Sequence, residues 1–226
     1  MKAAFLALAV LAAAAAPLRA DEGRGGNELS LSLGGYGSGS KVSVNGSEDK
    51  VGDGGGLLGF RYLRDLDDHV AIGVELNRLD AGSHDSTTLI AHGDSRASLK
   101  TTEALAVARV RFGGGKLRPY VLGGLGLHTT TFHLESTPAA GFTWADTGTK
   151  ETRVLFDDNQ AGTALALEGG LDWRFSSALA AAVFASLHYQ GRAEYRPTGA
   201  GANGGFTPMR GDFGGVGLGA TFSARF

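Results

Sequence analysis

Apolar and small polar positions alternate along residues 212–226. Gly214, Val216, Leu218, Ala220, Phe222, Ala224 and Phe226 share one face, while Gly215, Gly217, Gly219, Thr221, Ser223 and Arg225 share the other. Successive side chains of a strand point to opposite sides, so this period of two describes a strand lying between two different environments. A tilted strand crosses a bilayer in roughly 9–11 residues, and this stretch is long enough to do so.

The same alternation recurs upstream. Within 28–36, Leu29, Leu31 and Leu33 oppose Glu28, Ser30 and Ser32; within 55–64, Leu58, Phe60 and Tyr62 oppose Leu57, Gly59, Arg61 and Leu63. Residues 69–79 set Val70, Ile72, Val74 and Leu76 against Ala71, Gly73, Glu75 and Asn77. In 98–112 either face is mildly apolar. Turning Arg109 and Arg111 outward would place two arginines in hydrocarbon at up to about 2–4 kcal/mol each, so Ala104, Ala106, Ala108, Val110 and Phe112 face out. Residues 119–132 put Val121, Leu125 and Leu127 outward, with Gly124 and Gly126 leaving room inside. Between 164 and 175 the outward set is Leu165, Leu167, Leu171, Trp173 and Phe175, and between 179 and 190 it is Val183, Leu187 and Tyr189.

The connections alternate between short turns, such as 65–68 and 176–177, and long polar segments ending near 54 and covering 80–97, 133–160 and 191–211. Eight strands joined in this way predict an all-β fold: a closed eight-stranded antiparallel up-and-down transmembrane β-barrel, with every long connection at one end. Closure is required because an unpaired backbone group in hydrocarbon costs several kcal/mol. The facing assignment leaves Glu28, Glu75, Glu103, Glu168 and Asp172 inside with Arg61, Arg109, Arg111, Arg174 and Arg225, a balanced ion-pair network. Neighbouring strands are expected to pair Arg61 with Glu75, and closure to pair Glu28 with Arg225. Eight strands enclose a space that side chains fill, so a plug is expected rather than a selectivity lining. Outward Tyr62, Phe112, Trp173, Phe175 and Phe226 gather near the short turns as an aromatic girdle.

Composition narrows the setting. Residues 1–20 carry Lys2, an Ala/Leu/Val run and Ala20 before Asp21, the build of a secretory signal peptide, and the run is shorter than a membrane-spanning helix needs. The mature domain is then 21–226. The chain has 21 basic and 23 acidic side chains, and loss of Lys2 and Arg19 with the leader brings the charge near −4. No large basic patch emerges, which argues against nucleic acid as a partner. There is no cysteine, so neither disulfides nor a lipidated N-terminal cysteine support the fold.

The segment RPYVLGGLGLH at 118–128 resembles the PYxGxGxG segment of small outer-membrane barrels, and the terminal Phe226 after an alternating strand resembles their C-terminal assembly signal. With the leader and the meander, the chain resembles the small eight-stranded outer-membrane proteins of the OmpA/OmpX/OmpW-like β-barrel superfamily. The resemblance implies residence in the outer membrane, contact with its lipids and lipopolysaccharide, and recognition of Phe222 and Phe226 by the assembly machinery. It also implies a structural or surface-interaction role through long extracellular loops, with an extracellular partner at those loops.

Other chemistries have less in their favour. The glycine-rich run lacks the helix and the Lys-Ser/Thr ending of a phosphate loop. Barrel enzymes that remove acyl chains from lipid A place a serine two residues after the histidine, whereas His188 precedes Tyr189-Gln190 and His128 precedes Thr129-Thr130. No spacing forces a nucleophile onto a base, and both histidines read as interior hydrogen-bonding groups. Ser83-His84-Asp85 and His92-Gly93-Asp94 match no metal geometry, so neither metal nor cofactor is expected. Phe142, Trp144, Tyr195 and Phe206 fall in the long connections, as partner contacts or as loop packing. A narrow channel for small solutes and an outer-leaflet lipid-modifying enzyme remain the alternative functions.

Overall fold

The computed structural model describes residues 26–226, apart from Thr88, Ala91 and the side chain of Asp212; the signal-peptide reading of 1–20 lies outside the described residues. The elements in order are β1 Asn27–Ser38, β2 Lys41–Val44, β3 Ser47–Lys50, β4 Gly55–Asp65, β5 Val70–Ser86 and β6 Gly93–Arg111. There follow β7 Leu117–Pro138, β8 Arg153–Arg174, β9 Leu179–Tyr195, a short helix α1 Gly199–Asn203, and β10 Met209–Arg225. Eight strands form one closed antiparallel ring in the order β1-β10-β9-β8-β7-β6-β5-β4, and β2 with β3 forms a separate hairpin. The ring closes where β1 pairs with β10, in the register Glu28↔Arg225 and Leu31↔Phe222.

The outward faces are those expected from the alternation. Leu31, Phe60, Val121, Leu125, Leu167, Val183, Leu218 and Phe222 are exposed, whereas Glu28, Arg61, Glu75, Arg109, Arg111 and Glu168 are buried inside. Arginine-inward is the observed facing of β6. The short turns are fixed by side-chain caps. Asp67 accepts the backbone N–H groups of His69 and Val70 at 2.7 Å each, and these two bonds hold its carboxyl below the usual carboxylate range.

The long connections differ from the sequence expectation. Segments 80–97, 133–160 and 191–211 read as polar loops, yet β5 runs to Ser86, β6 starts at Gly93, β7 runs to Pro138, and β8 starts at Arg153. The reason is a reversal of polarity. On β6 the outward residues change from Ala104 to Thr102, Lys100, Ser98 and Arg96, while the inward ones become Leu99 and Ala97. On β7 the outward Leu127 gives way to Thr129, Thr131 and His133, and the inward Phe132 and Leu134 are fully buried. Above this level water replaces an apolar exterior, so the buried face must be apolar and the exposed one polar. A reading that follows outward apolar residues loses the strand at that point.

The first long connection likewise holds structure. Asn45 and Gly46 both have positive φ, 48° and 87°, as a two-residue hairpin turn requires. Val42 and Val44 of this hairpin are buried. Ser40 joins it to the barrel, its Oγ donating to the Gly214 carbonyl and accepting the Gly214 N–H. Among the described residues no helix is long and apolar enough to cross a membrane, which says nothing of crossing by strands.

Candidate functional site

The lumen is filled in layers. Nearest the short turns, Glu28 receives both guanidinium nitrogens of Arg109 at 2.8 and 2.7 Å, together with Arg111 and Arg225 at 2.8 Å each. Three cations on one carboxylate would be unbalanced, but Arg111 also donates to Asp65 at 2.8 Å and Asp172 lies 3.8 Å from Arg111 and Arg225. The next layer is centred on Arg61. It donates to Glu75 on the adjacent strand β5 at 2.8 Å and to Glu168 at 2.7 Å, while the Tyr120 hydroxyl takes the other Glu168 oxygen at 2.7 Å. In the ring order β4 and β8 stand opposite each other, so the Arg61–Glu168 contact spans the barrel.

Two of the residues placed in the ion-pair network fall outside it. Glu103 is fully buried and meets no arginine; its carboxylate accepts from Nδ1 of His188 at 2.8 Å and from the Gln190 amide at 3.0 Å. Arg174 makes no ion pair among the described residues; it sits partly buried at the short-turn end of β8, and its Nε has no hydrogen-bond partner there. Conversely, Asp65 and Tyr120 join the network from positions that alternation alone did not single out. Above Glu103, Thr101 and Thr130 share a hydrogen bond of 2.9 Å. A dry aromatic layer follows: Phe132, Phe156, Tyr195 and Phe213 are essentially inaccessible, with neighbouring ring centroids 5.4–5.9 Å apart.

One arrangement inside the lumen has the outline of a nucleophilic site. With Nδ1–H given to Glu103, Nε2 of His188 accepts from the Ser186 hydroxyl at 3.0 Å, an acid, imidazole and hydroxyl in series. The serine lies two residues before the histidine, a spacing that puts both on one strand face and is legible in the sequence. The three groups are buried between the Arg61 layer and the aromatic layer. An acyl substrate would have to cross one of those layers to reach Ser186. His128 is buried beside the array and bonds Thr130 through Nδ1 at 2.9 Å.

On the outside, Phe112, Trp173, Phe175 and Phe226 are exposed near the short turns, and the Trp173 and Phe175 rings lie 4.6 Å apart. Tyr62 is half-buried there and donates to the Asn27 side chain at 2.8 Å. Phe222 points outward within the apolar band.

At the opposite end the hairpins pack on one another. Val42, Val44, Val51, Leu89, Leu134 and Leu155 form a second apolar core continuous with the aromatic layer. His84 and His92 are not brought together. His84 faces Asp53 at 2.9 Å, His92 stacks on Phe142 with centroids 4.1 Å apart, and no cluster of three metal-ligating side chains occurs among the described residues. Of the aromatic residues in the long connections, Tyr195 is buried in β9, whereas Trp144 and Phe206 border an open cavity of about 520 Å³ between four connections.

The ring can be compared with solved barrels. Neisserial surface protein A (NspA) is 12% identical over 88% of this chain and 97% of its own, with a TM-score of 0.51. OprG from Pseudomonas aeruginosa is 19% identical over 90% of this chain and 96% of its own, with a TM-score of 0.53. Both likenesses concern the fold alone. No curated protein sequence matches the chain. The family model described as outer membrane protein β-barrel domain matches residues 3–222. With that match covering nearly the whole chain and a closed ring of alternating strands beneath it, the chain belongs to the outer membrane protein β-barrel domain family.

Proposed function

We propose that this integral outer-membrane barrel conducts no solute and works through its long hairpins, which face outside the cell as a structural and interaction platform. The observation that carries this reading is the Arg61–Glu168 contact of 2.7 Å between opposite strands, with a second charged layer below it and a dry aromatic layer above. A barrel of this strand number has just enough interior for side chains. The polarity reversal on β6 and β7 supports hairpins standing in water beyond the outer leaflet, with their own packed core. Lipids and lipopolysaccharide contact the apolar band, the aromatic girdle sits at the periplasmic interface, and Phe222 with Phe226 serves the assembly machinery. The Ser186–His188–Glu103 array serves the plug in this reading, so no catalysis and no cofactor are assigned.

Two measurements test it. Reconstituted in planar bilayers, the protein should leave the membrane as insulating as a protein-free one; stable unitary current steps would establish the channel reading instead. Protease added to intact cells should cut within 139–152, the connection between β7 and β8, and spare the turn at 66–69. Cleavage at that turn alone would invert the orientation.

A further inference from the structure

We infer that the cavity at the outer end of the hairpins is a binding site for a neutral saccharide, an inference that rests on the outward orientation proposed above. Its wall is built from four connections: Asn45 from the β2–β3 turn, Leu89 from the β5–β6 connection, Trp144 and Asp146 from the β7–β8 loop, and Asn203 and Phe206 around the end of α1. A volume of about 520 Å³ falls within the range of roughly 300–1,000 Å³ usual for small-molecule sites.

The wall is held in place before anything binds. Arg153 gathers the β7–β8 loop, donating to both Asp146 oxygens at 2.8 and 2.9 Å, to Glu151 at 3.0 Å and to Thr147, while its guanidinium lies 5.0 Å from the Trp144 ring centroid. The indole N–H of Trp144 donates to the Glu151 carbonyl at 2.8 Å. Phe206 packs edge-on against buried Phe156, and Leu89 is anchored by its N–H to Ser86 Oγ at 3.1 Å. Side chains fixed in this way lose little freedom when a ligand arrives, so the affinity of each contact is retained.

The lining selects the ligand by elimination. It contains Asp146 and no lysine, arginine or histidine, and the cation behind it, Arg153, is already shared between Asp146 and Glu151, so a phosphate, sulfate or carboxylate would find no free counter-charge. A purely hydrocarbon ligand would cover the amides of Asn45 and Asn203 and the hydroxyl of Ser47 without offering them hydrogen bonds, which disfavours it. A sugar ring presents C–H groups on its faces and hydroxyls around its rim. The C–H faces suit the negative π-faces of Trp144 and Phe206 and the apolar floor of Leu89 and Ile90. The hydroxyls suit side-chain amides, each of which offers two donors and an acceptor.

The test is binding of purified, detergent-solubilised protein to an array of neutral gluco-, galacto-, manno- and N-acetylglucosamine oligosaccharides, with sulfated oligosaccharides beside them. Binding to at least one neutral series is expected. Trp144→Ala, and separately the double change Asn45→Ala with Asn203→Ala, should weaken it roughly tenfold or more. Phe142→Ala, an exposed aromatic change outside the cavity, should leave it unaltered, and an unshifted melting temperature in each variant shows that the barrel is intact. A silent array, binding confined to sulfated sugars, or Trp144→Ala binding like wild type overturns the inference. If the array is silent while bilayers stay insulating and intact cells are still cut within 139–152, the saccharide inference falls and the closed-barrel reading stands. Current steps, or cleavage only at 66–69, overturn that underlying reading.

Discussion

Glu28→Gln is expected to lower the unfolding free energy of the barrel by about 3–5 kcal/mol, the range for breaking a buried ion pair from one side. Glu28 accepts from Arg109, Arg111 and Arg225, all with donor–acceptor distances of 2.7–2.8 Å. Glutamine keeps the shape of the side chain but leaves three guanidiniums facing one another around a neutral amide. Asp65 and Asp172 relieve part of that charge, which keeps the expected loss inside the range rather than above it. Arg174→Ala is the matched control. It removes an interior-facing arginine that has no ion pair among the described residues, and its effect should stay within about 0.5 kcal/mol. Urea titration of both variants in the same detergent or lipid provides the comparison. A Glu28→Gln midpoint equal to wild type would mean that water, and not Glu28, balances the arginines.

The second large effect is expected from Gly126→Ala. This glycine lies in the PYxGxGxG-like segment, where room for interior side chains is the expected reason for it. The structure gives a different reason. A methyl group at Gly126 would run into the carbonyl oxygen of Ala104 and lie 2.8 Å from the Leu105 Cα, both backbone atoms of β6. Backbone atoms in a paired strand cannot move aside singly, so relief requires separating β6 from β7 in the middle of the ring. Overpacking ordinarily costs about 1–3 kcal/mol, and this change should reach the top of that range or prevent refolding. Gly123→Ala, whose added methyl would have nothing within 4 Å, should refold like wild type. Gly170→Ala should fall between them, because its methyl would sit 2.6 Å from the Tyr120 ring and disturb the bond from Tyr120 to Glu168. Refolding yield of the three variants, followed by the heat-dependent gel shift of a closed barrel, checks the order. Equal yields for Gly126→Ala and Gly123→Ala would show that the strands have slack.

Much of this architecture is legible in the amino-acid sequence alone. Strand number, the facing of each strand, the inward arginines of β6 and the closure of β1 on β10 follow from a period of two read against hydrocarbon. In such a strand the side chain's direction is set by its position alone, and a single solvent decides which face is apolar. The Arg61–Glu75 and Glu28–Arg225 contacts were legible for the same reason, since adjacent strands bring their facing residues together in register.

The rest depended on closure and on a change of solvent along a single strand. Arg61 meets Glu168, 107 positions away, because the ring is narrow enough for opposite walls to touch, and no neighbour rule anticipates that. A count of interior charges sets Glu103 among the arginines; three-dimensional reach gives it His188 and Gln190 instead, and leaves Arg174 without an ion pair among the described residues. The long hairpins were hidden because their strands keep the period while exchanging which face is apolar, as water takes over from lipid outside and Phe132, Leu134 and Leu155 fill the inside. The four-walled outer cavity has no trace in any one segment, because connections far apart in sequence become neighbours only when the barrel closes beneath them.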